Sequence, residues 1–337
     1  MEQKRDKLHR RAAPILSRPV SSNSSGNNTV PEHNSRLRRW LKRFAAAVLV
    51  LLVAWLAVSA VVAYKLTRRQ RAPFAEYVPA VPWATIESLR LHTSDGLEIG
   101  AWFMPGSDER PSLIVLHGYG GSRKDSIKMA EMLIHEGCSV LAVTLRAHGD
   151  SAGDVNDVGY SARHDVVAAV DYLEQRRPGR PIFVQGTSLG AAAAIYAGGE
   201  LQTRVAGYIL ECPFRDIRSA VRNRTTAFLG WPLGDIAYAG LDLVGPIVLS
   251  DMDRMSPVDR VSEIPANVPL LIMAGGRDNR ARPAEVAAIY QRVASHARFV
   301  EFPEAVHGAF CVQGGETYRN ALRAFLPRRR PSEKERK

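Results

Sequence analysis

Residues 181–199 of the chain read PIFVQGTSLGAAAAIYAGG. A short apolar run ends at Gly186, the pentapeptide Gly-Thr-Ser-Leu-Gly follows, and an alanine-rich run then has the composition of a helix. The pattern predicts a strand, a sharp turn and a helix, with Ser188 on the turn. The glycines two residues either side of Ser188 remove Cβ atoms that would collide with neighbouring backbone. We therefore expect the Ser188 hydroxyl at the carboxyl end of the strand, beside the unpaired N–H groups of the helix N-terminus.

The pentapeptide alone is a weak signal, since glycine and serine are common in loops, and the segments around it strengthen the interpretation. Apolar runs predict strands at 112–116, 139–144, 182–185, 205–210, 269–274 and 298–302, and periodic segments predict helices at 123–136, 161–175, 189–199, 284–294 and 317–325. Before them, Thr85–Leu91 and Leu97–Met104 flank a Thr-Ser-Asp-Gly turn and predict an antiparallel hairpin. This alternation predicts an α/β fold with a mostly parallel sheet, whose ligands bind at the carboxyl ends of the strands.

A glycine-rich turn, His-Gly-Tyr-Gly-Gly at residues 117–121, follows the predicted strand 112–116. Such a turn lets a backbone N–H, here that of Tyr119, point toward the serine together with the N–H of Leu189. Two donors that converge on a developing oxyanion can each lower the barrier by roughly 3 kcal/mol. The turn therefore predicts an oxyanion hole formed by Tyr119 and Leu189, with His117 helping to shape it.

Two further strand ends carry side chains that could activate Ser188. Gly-Gly-Arg-Asp places Asp278 after the strand 269–274, and Glu-Ala-Val-His-Gly places His307 after the strand 298–302. The order serine, aspartate, histidine is the one that this topology uses. We expect Ser188 to attack an acyl carbonyl, His307 to transfer its proton, and Asp278 to orient the imidazole.

Other residues of the same types are weaker candidates. Non-catalytic roles are the alternative for two of the three residues. Ser188 could be an ordinary turn serine, and Asp278 could cap a helix or lie in a surface turn. Three acids that do not follow a predicted strand are Asp251, Asp253 and Asp259. His148 is predicted to lie in a structural loop, and the remaining histidines lie on ordinary elements or in the N-terminal tail: His9, His33, His92, His135, His164 and His296.

Four motifs in register make the chain resemble the α/β-hydrolase superfamily, particularly its dienelactone-hydrolase-like and prolyl-oligopeptidase-like serine hydrolases. The motifs are the HGYGG turn, the GTSLG elbow, the GGRD strand end and the VHG loop, and the resemblance covers about residues 85–326. It implies the α/β-hydrolase fold and a catalytic triad of Ser188, Asp278 and His307. It does not specify the substrate.

One segment departs from the superfamily pattern. Residues 144–151 read TLRAHGDS, where relatives often read Asp-x-Arg-Gly-His-Gly-x-Ser. Thr144 replaces the aspartate and Ala147 replaces a glycine. The structural hydrogen bonds that this aspartate makes in relatives are therefore not expected here, whereas the triad is unaffected.

Residues 215–267 are too long for a plain connection between two strands, and loops of this length are usually functional. They are predicted to form a small helical cap over Ser188. Their apolar residues fit two interpretations equally well, of which the first is an acyl-binding pocket open toward a nearby membrane. The alternative is that they only seal the small core of the cap itself.

The N-terminal region is predicted to be a membrane anchor. Residues 44–64 read FAAAVLVLLVAWLAVSAVVAY, an uncharged helix of about the thickness of a bilayer core. A buried core helix would show a polar face, and a cleaved signal peptide has a shorter apolar region. A disordered basic tail is expected at 1–43, a proline-containing linker at 65–84, and a charged tail at 327–337.

Charge bias predicts the orientation of this span. Eleven Lys and Arg residues precede it and four follow closely. The positive-inside rule therefore favours a cytoplasmic N-terminus and an extracytoplasmic catalytic domain.

Composition excludes several other functions. The net charge of +11 comes from residues 1–71, with 15 Lys and Arg against 3 Asp and Glu, whereas the rest of the 337-residue chain has 30 against 31. No basic, aromatic-bearing recognition surface is evident, so no nucleic-acid partner is predicted. No phosphate-binding loop, His-Glu-x-x-His or Cys-x-x-Cys motif occurs, so no cofactor or metal is predicted. Three cysteines allow one disulfide, but buried thiols are the simpler interpretation: Cys138, Cys212 and Cys311.

Together these features predict a membrane-anchored serine hydrolase that cleaves a carboxylic ester or thioester of a small-molecule or lipid acyl substrate. A peptidase or an acyltransferase using the same triad is the nearest alternative. The alternative from another class is a non-catalytic hydrolase-fold scaffold that binds a partner or a lipid.

Overall fold

The computed structural model describes residues 32–308 and 310–327 of the chain. The predicted disorder of residues 1–31 and the charged residues 328–337 lie outside this description. Two compact units are distinguished, with their boundary between Leu52 and Val53. Within the described chain, the first unit consists of the first part of one long helix. The sheet, the cap and the site all belong to the second unit, which begins at Val53.

The long helix, α1 (Glu32–Leu66), contains 35 residues. Within the described chain it is the one helix long and apolar enough to cross a membrane, by length and composition. It begins earlier than the predicted span 44–64, so residues 32–43 of the predicted disordered tail are helical. Arg, Leu and Lys are good helix formers, and extending an existing helix is much easier than nucleating a new one.

Eight strands in the described residues form a single sheet. They are β1 (Glu87–His92), β2 (Glu98–Met104), β3 (Ser112–Leu116), β4 (Ser139–Val143), β5 (Ile182–Thr187), β6 (Gly207–Glu211), β7 (Leu270–Gly275) and β8 (Ala297–Phe302). Their order across the sheet is β1-β2-β4-β3-β5-β6-β7-β8. Only β1 with β2 and β2 with β4 pair antiparallel, and all other neighbours are parallel. The predicted α/β fold, with an N-terminal hairpin and a mostly parallel sheet, is confirmed.

Helices connect and cover the strands. They are α2 (Ile127–His135), α3 (Arg163–Arg176), α4 (Leu189–Leu201), α5 (Ile217–Leu229), α6 (Leu233–Val248), α7 (Pro257–Arg260), α8 (Pro283–Arg292), α9 (Phe310–Gln313) and α10 (Gly315–Phe325). The predicted helix 123–136 begins instead with a 3-10 turn at Arg123–Ser126, because Ser122 and Asp125 form a capping box there. Small alanine side chains let α4 be buried against β5 and α3.

The segment predicted as a cap contains α5, α6 and α7. Helix α5 is capped by Asp216, whose side chain accepts the Ser219 N–H at 2.7 Å. Helices α5 and α6 pack against each other over most of their lengths. Ion pairs join them, between Arg218 and Asp242 at 3.0 Å and between Arg222 and Asp235 at 3.2 Å. The cap is therefore a helical hairpin that follows β6.

The predicted linker 65–84 is mostly extended beyond α1, and two of its side chains bind the loop that follows β4 and the adjoining Arg123. The Arg69 guanidinium donates to the carbonyl of Gly153 at 2.7 Å. Glu76 is buried, and its Oε1 accepts the hydroxyl of Thr144 at 2.8 Å and lies 3.4 Å from Arg123 Nη1. A carboxylate is thus present where the superfamily pattern has an aspartate, but the linker supplies it. This is how the chain accommodates the departure at Thr144.

Replacing Glu76 by alanine is expected to lower the free energy of unfolding by about 2 kcal/mol, because it leaves Arg123 buried with one acidic partner fewer. The loss falls below that of a fully broken buried pair because Asp150 still pairs with Arg123 at 2.6 Å. Denaturant unfolding of the detergent-solubilised chain measures it. Exposed Glu109, replaced by alanine, is the matched control. Equal stability of the two variants would refute a structural role for the Glu76 carboxylate.

Candidate active site

Ser188 lies between β5 and α4 in a strained backbone conformation, with φ 54° and ψ −107°. A non-glycine residue held in such a conformation costs of order 1–3 kcal/mol and is typical of functional sites. The glycines on either side are required by close approach. A Cβ at Gly186 would lie 2.4 Å from the carbonyl carbon of Gly190, and a Cβ at Gly190 would lie 2.6 Å from the carbonyl oxygen of Leu116. The turn at Ser188 is thus packed directly against the end of β3.

The three side chains predicted from separate strand ends lie together. His307 Nε2 is 2.9 Å from Ser188 Oγ, and His307 Nδ1 is 2.7 Å from Asp278 Oδ2. The other oxygen of Asp278 accepts the backbone N–H groups of Arg280 and Ala281 at 2.8 and 2.9 Å. The Asp278 carboxylate therefore closes a local turn with one oxygen and accepts the His307 N–H with the other. With Nδ1 acting as donor, the lone pair of Nε2 faces the Ser188 hydroxyl.

Burial protects this arrangement from water. Ser188 is 2 % exposed and Asp278 is 4 % exposed, while the His307 side chain retains 14 % exposure. Hydrogen bonds and charge interactions are stronger in such a site than in water. The imidazole is the member of the set that faces the open side.

The His-Gly-Tyr-Gly-Gly turn lies beside the serine. A Cβ built at Gly118 would lie 3.8 Å from Ser188 Cβ, which places this turn in van der Waals range of the serine. Among the described residues, neither the Tyr119 N–H nor the Leu189 N–H donates a hydrogen bond to another group. Both predicted donors are therefore free to bind an oxygen of a ligand.

Two buried histidines hold this turn in place. His117 Nε2 accepts the Leu145 N–H at 3.0 Å, and its Nδ1 faces the Gly118 carbonyl at 2.7 Å. His148 Nε2 accepts the Gly120 N–H at 3.2 Å. The predicted role of His117 in shaping the turn fits this geometry, and His148 supports the same turn from the loop after β4. The backbone on both sides of Tyr119 is thereby fixed.

Burial lowers the pKa of both rings, and it lowers the pKa of His117 to about 3, with the neighbouring His148 adding to the effect. Both rings are neutral near pH 7, as acceptors of backbone N–H groups must be. In the unfolded chain a histidine titrates near its ordinary value of about 6.5. Stability from His117 is therefore complete above about pH 6.5 and is lost progressively as the pH falls toward 3.

We expect the free energy of unfolding to depend less steeply on pH when His117 is replaced by glutamine. Between about pH 6 and pH 4, the slope should decrease by about 1.4 kcal/mol per pH unit, because one proton fewer binds on unfolding. Denaturant unfolding at several pH values measures this slope. Exposed His92, replaced by glutamine, is the control, and an unchanged slope in the His117 variant would contradict the burial argument.

Residues behind the site were not singled out from the sequence. Ser188 N–H donates to the carbonyl of Glu211 at 2.8 Å, and Thr187 Oγ1 donates to Glu211 Oε2 at 3.1 Å. The Tyr318 hydroxyl donates to the other oxygen of Glu211. Burial raises the pKa of the Glu211 carboxyl. The signal in the sequence is an acid at the end of the predicted strand before the cap, and its three partners show that it supports the turn from behind.

Cys212 lies next to the same group of side chains. Its Sγ, one oxygen of Asp278 and one nitrogen of His307 lie within 4.8 Å of one another, the one such cluster found in the described part of the chain. Burial raises the pKa of the Cys212 thiol well above its usual value, so the sulfur is protonated at neutral pH. The two ring nitrogens of His307 already face Asp278 and Ser188. This donor set therefore fits a hydrogen-bonded site better than a metal site.

All three cysteines are free thiols, so the alternative of one disulfide is not realised. Cys138 and Cys212 are buried and Cys311 is partly buried.

A small apolar cavity borders the turn that carries Tyr119. Its volume is about 130 Å³. Its walls come from the end of α1, from Tyr119, from the loop after β4, from both cap helices and from the residues that follow α6: Ala63, Leu66, Thr67, Tyr119, Val158, Ile217, Ala220, Val221, Arg224, Leu241, Gly245, Val248, Leu249 and Met252. The Tyr119 hydroxyl also donates to the Leu66 carbonyl at 2.9 Å. The end of the apolar helix is thus one wall of a cavity that borders the Tyr119 turn, although Ser188, Asp278 and His307 do not line it.

Of the described residues that line this cavity, Arg224 is the one with a charge. Its guanidinium donates to the Ala220 carbonyl at 3.0 Å, and no carboxylate of the described residues lies within 4.0 Å of it. Burial, followed by the nearby Arg280, lowers its pKa. The charge of Asp278 opposes this shift without forming an ion pair. A guanidinium that lines an apolar cavity with no acid in contact is stabilised when an anion joins it.

Comparisons with known proteins agree with this fold. A family model described as serine aminopeptidase, S33 matches residues 107–241. The α/β-hydrolase domain-containing protein WAV2 of Arabidopsis thaliana is 27 % identical over 256 residues, which cover 74 % of this chain and 80 % of that protein. The uncharacterized membrane protein YNL320W of Saccharomyces cerevisiae is 23 % identical, over 71 % of this chain and 79 % of that protein.

A lipase and a solved esterase are also similar. Lysophosphatidylserine lipase ABHD12 of Xenopus tropicalis is 25 % identical over 146 residues, covering 42 % of this chain and 37 % of the lipase. The Pyrococcus furiosus esterase Pf2001 superimposes with a TM-score of 0.62 at 23 % identity, over 75 % of this chain and 96 % of the esterase. The esterase likeness shows the shared fold.

Proposed function

We propose that this chain, which belongs to the α/β-hydrolase superfamily, is a membrane-anchored serine hydrolase that cleaves carboxylic esters or thioesters. The observation that carries the proposal is the unbroken hydrogen-bonded sequence from Ser188 through His307 to Asp278. The strained turn at Ser188 supports the proposal, since the surrounding structure holds the backbone of this residue in an unfavourable conformation. The esterase and lipase among the similar proteins support the same class of reaction.

In the proposed reaction, Ser188 Oγ forms a bond to the acyl carbonyl carbon while its proton moves to His307 Nε2. The carbonyl oxygen becomes an oxyanion that accepts the N–H groups of Tyr119 and Leu189. His307 then donates the proton to the leaving alcohol or thiol as its bond to the carbonyl carbon breaks. Water then loses a proton to the same Nε2 as its oxygen attacks the acyl carbon, and His307 returns this proton to Ser188 Oγ as the acyl–Oγ bond breaks and the acid leaves. Asp278 stabilises the imidazolium in both halves of the cycle.

We propose that α1 anchors this enzyme in a bilayer. Its apolar stretch has the length of a hydrocarbon core, and the side chains of its described part are mostly exposed in the isolated chain. The excess of Lys and Arg before the span favours an N-terminus in the cytoplasm and a catalytic domain on the other side. A reporter that is active only in the cytoplasm, fused after Lys337, would be silent in this orientation and active in the opposite one.

We propose an anionic ester with a single acyl chain, such as a lysophospholipid, as the substrate class. The unpaired guanidinium of Arg224 fits a phosphate or a carboxylate, and the apolar lining of the adjoining cavity fits hydrocarbon. ABHD12 of Xenopus tropicalis is named a lysophosphatidylserine lipase, which agrees with this class. The peptidase alternative is favoured by the description of the matching family model as serine aminopeptidase.

Paired substrates test the class of reaction. Full-length chain in detergent or vesicles is assayed with acyl esters and peptidyl amides of matched acyl groups. The proposal expects turnover of esters and negligible turnover of amides, with the site labelled covalently by a fluorophosphonate probe. Preferential cleavage of amides would favour the peptidase. If neither substrate is turned over and no residue is labelled, the alternative of a non-catalytic scaffold is favoured instead.

Replacing Arg224 by glutamine should lower kcat/KM for an anionic lysophospholipid by about 10- to 100-fold, because a charge-assisted hydrogen bond is lost. A neutral monoacylglycerol with the same acyl chain should change by less than about 3-fold, since it has no anion for Arg224 to bind. Exposed Arg254 on the cap, replaced by glutamine, is the matched control. An equal loss with both lipids would show that Arg224 does not select for charge.

A further inference from the structure

Helix α6 of the cap has an exposed face without charge, which we call the apolar stripe. The stripe consists of residues spaced at helical intervals: Ile236, Ala239, Leu243, Pro246 and Ile247. Leu243 is 62 % exposed and Ile247 is 85 % exposed. Contiguous exposed apolar surface of this kind is uncommon on a soluble domain and marks an interaction site.

Two further exposed apolar side chains lie near the start of α6. Phe228, in the last turn of α5, is 88 % exposed, and Trp231, in the connection between α5 and α6, is 82 % exposed. Tryptophan is enriched at membrane interfaces because its ring is amphipathic. The charged residues of α6, by contrast, lie on the side that pairs with α5, where Asp235 and Asp242 meet arginines. The helix therefore separates its polar and apolar faces in the manner of an interfacial helix.

A third face of α6 packs on the C-terminal part of α1. A Cβ built at Gly240 would lie 2.2 Å from Ser59 Oγ and 3.0 Å from Trp55, and Ser59 is buried there. Ser59 and Trp55 precede the end of the apolar stretch at Tyr64 by about 8 Å and about 14 Å along a helix. If α1 spans a bilayer, a helix that touches these residues lies below the level at which α1 leaves the hydrocarbon.

We propose that the cap is inserted into the same bilayer that α1 spans, with the apolar stripe and Trp231 in contact with lipid. This inference rests on the proposed function, in which α1 is a membrane span. The depth implied by Ser59 matches the roughly 5–10 Å to which interfacial helices bury their apolar faces. Insertion covers the stripe with acyl chains and leaves the ion-paired side of α6 toward the aqueous phase.

The cavity lies where an inserted cap would let a lipid enter it from the bilayer. Ala63 and Leu66, at the end of the apolar stretch, form one wall, while Leu241 and Val248 of α6 form part of another. At about 130 Å³ the cavity is too small to enclose a long acyl chain, since a cavity of about 150 Å³ holds a molecule of the size of benzene. The rest of the substrate's acyl chain therefore remains in the bilayer, between α1 and the cap. The substrate reaches Ser188 from the membrane, without passing through water.

Depth measurements test the insertion directly. Single cysteines at Leu243, Ile247 and Arg180 are labelled with an environment-sensitive nitrobenzoxadiazole dye in a Cys311→Ser background, in vesicles of phosphatidylcholine and phosphatidylglycerol. Arg180 is exposed and precedes β5, at the opposite end of that strand from Ser188, and serves as the control. We expect quenching by lipids spin-labelled on the acyl chain to be at least about 5-fold stronger at L243C and I247C than at R180C. Equal quenching at the three positions would overturn the proposal. A shielded dye at Leu243 without lipid quenching would also overturn it, by indicating a protein partner.

Activity supplies a second, independent test. The double variant L243D/I247D alters the stripe but no residue of the cavity wall. We expect its kcat/KM for a long-chain lipid ester in vesicles to fall about 10-fold, while hydrolysis of a short water-soluble ester stays unchanged, because charged side chains oppose burial in lipid. An equal rate on the long-chain lipid would refute delivery from the bilayer. Failure of the wild-type chain to hydrolyse either ester would refute the proposed function instead, and the quenching measurement would still decide on insertion.

Discussion

Replacing Ser188 by alanine is expected to abolish ester hydrolysis and covalent labelling by a fluorophosphonate while leaving the chain folded. Loss of the nucleophile of such a triad lowers kcat by about 10⁵- to 10⁶-fold. In the proposed mechanism, the oxyanion donors that remain would supply only a small residual rate. Because Ser188 already accepts a strained backbone, alanine at this position should change the free energy of unfolding by less than about 1 kcal/mol.

The assay compares the wild-type chain, the S188A variant and a serine control in the same membranes. Ser262 is exposed on a turn of the cap, and its replacement by alanine should leave both activity and labelling unchanged. Labelling at a residue other than Ser188, or equal rates in the wild type and S188A, would contradict the nucleophile. Thermal unfolding of each variant shows whether a lost rate reflects the site or a lost fold.

Replacing Asp278 by asparagine should lower kcat by about 10⁴-fold with little change in KM. The asparagine oxygen can still accept the N–H groups of Arg280 and Ala281, so the local turn survives. Its amide N–H₂ would face His307 Nδ1, which must then accept a hydrogen bond. The proton therefore moves to Nε2, and the ring can no longer accept the proton of Ser188.

Two measurements distinguish a wrong His307 tautomer from a loss of folding in the Asp278→Asn variant. The variant should unfold at nearly the wild-type temperature, and fluorophosphonate labelling should slow in proportion to hydrolysis. Asp251, a partly exposed acid of the cap, is the matched control, and its asparagine variant should retain full activity. A similar loss in both variants would contradict the role proposed for Asp278.

Much of the candidate site could be predicted because each part of it is local in the sequence. Glycines flank Ser188 at fixed offsets, and Asp278 and His307 each follow an apolar run. Parallel strands bring their carboxyl ends to one edge of a sheet, so residues after separate strands become neighbours. The predicted ends of helices are less accurate in two places. At Ser122 a helix N-cap with its capping box starts a 3-10 turn, and at the start of α1 the apolar helix extends into basic residues.

The sequence by itself determined the α/β fold and the membrane-length helix, and it placed the three candidate catalytic residues on adjoining loops. These properties follow from hydrophobic periodicity and turn chemistry, which act over a few residues. Only the tertiary structure decided that Glu76 provides the carboxylate beside Thr144, that Arg224 lines an apolar cavity with no described carboxylate within 4.0 Å, and that α6 contacts α1 at Gly240. These contacts join segments that are far apart in the sequence. Patterns that extend over a few residues do not determine which distant segment each one contacts.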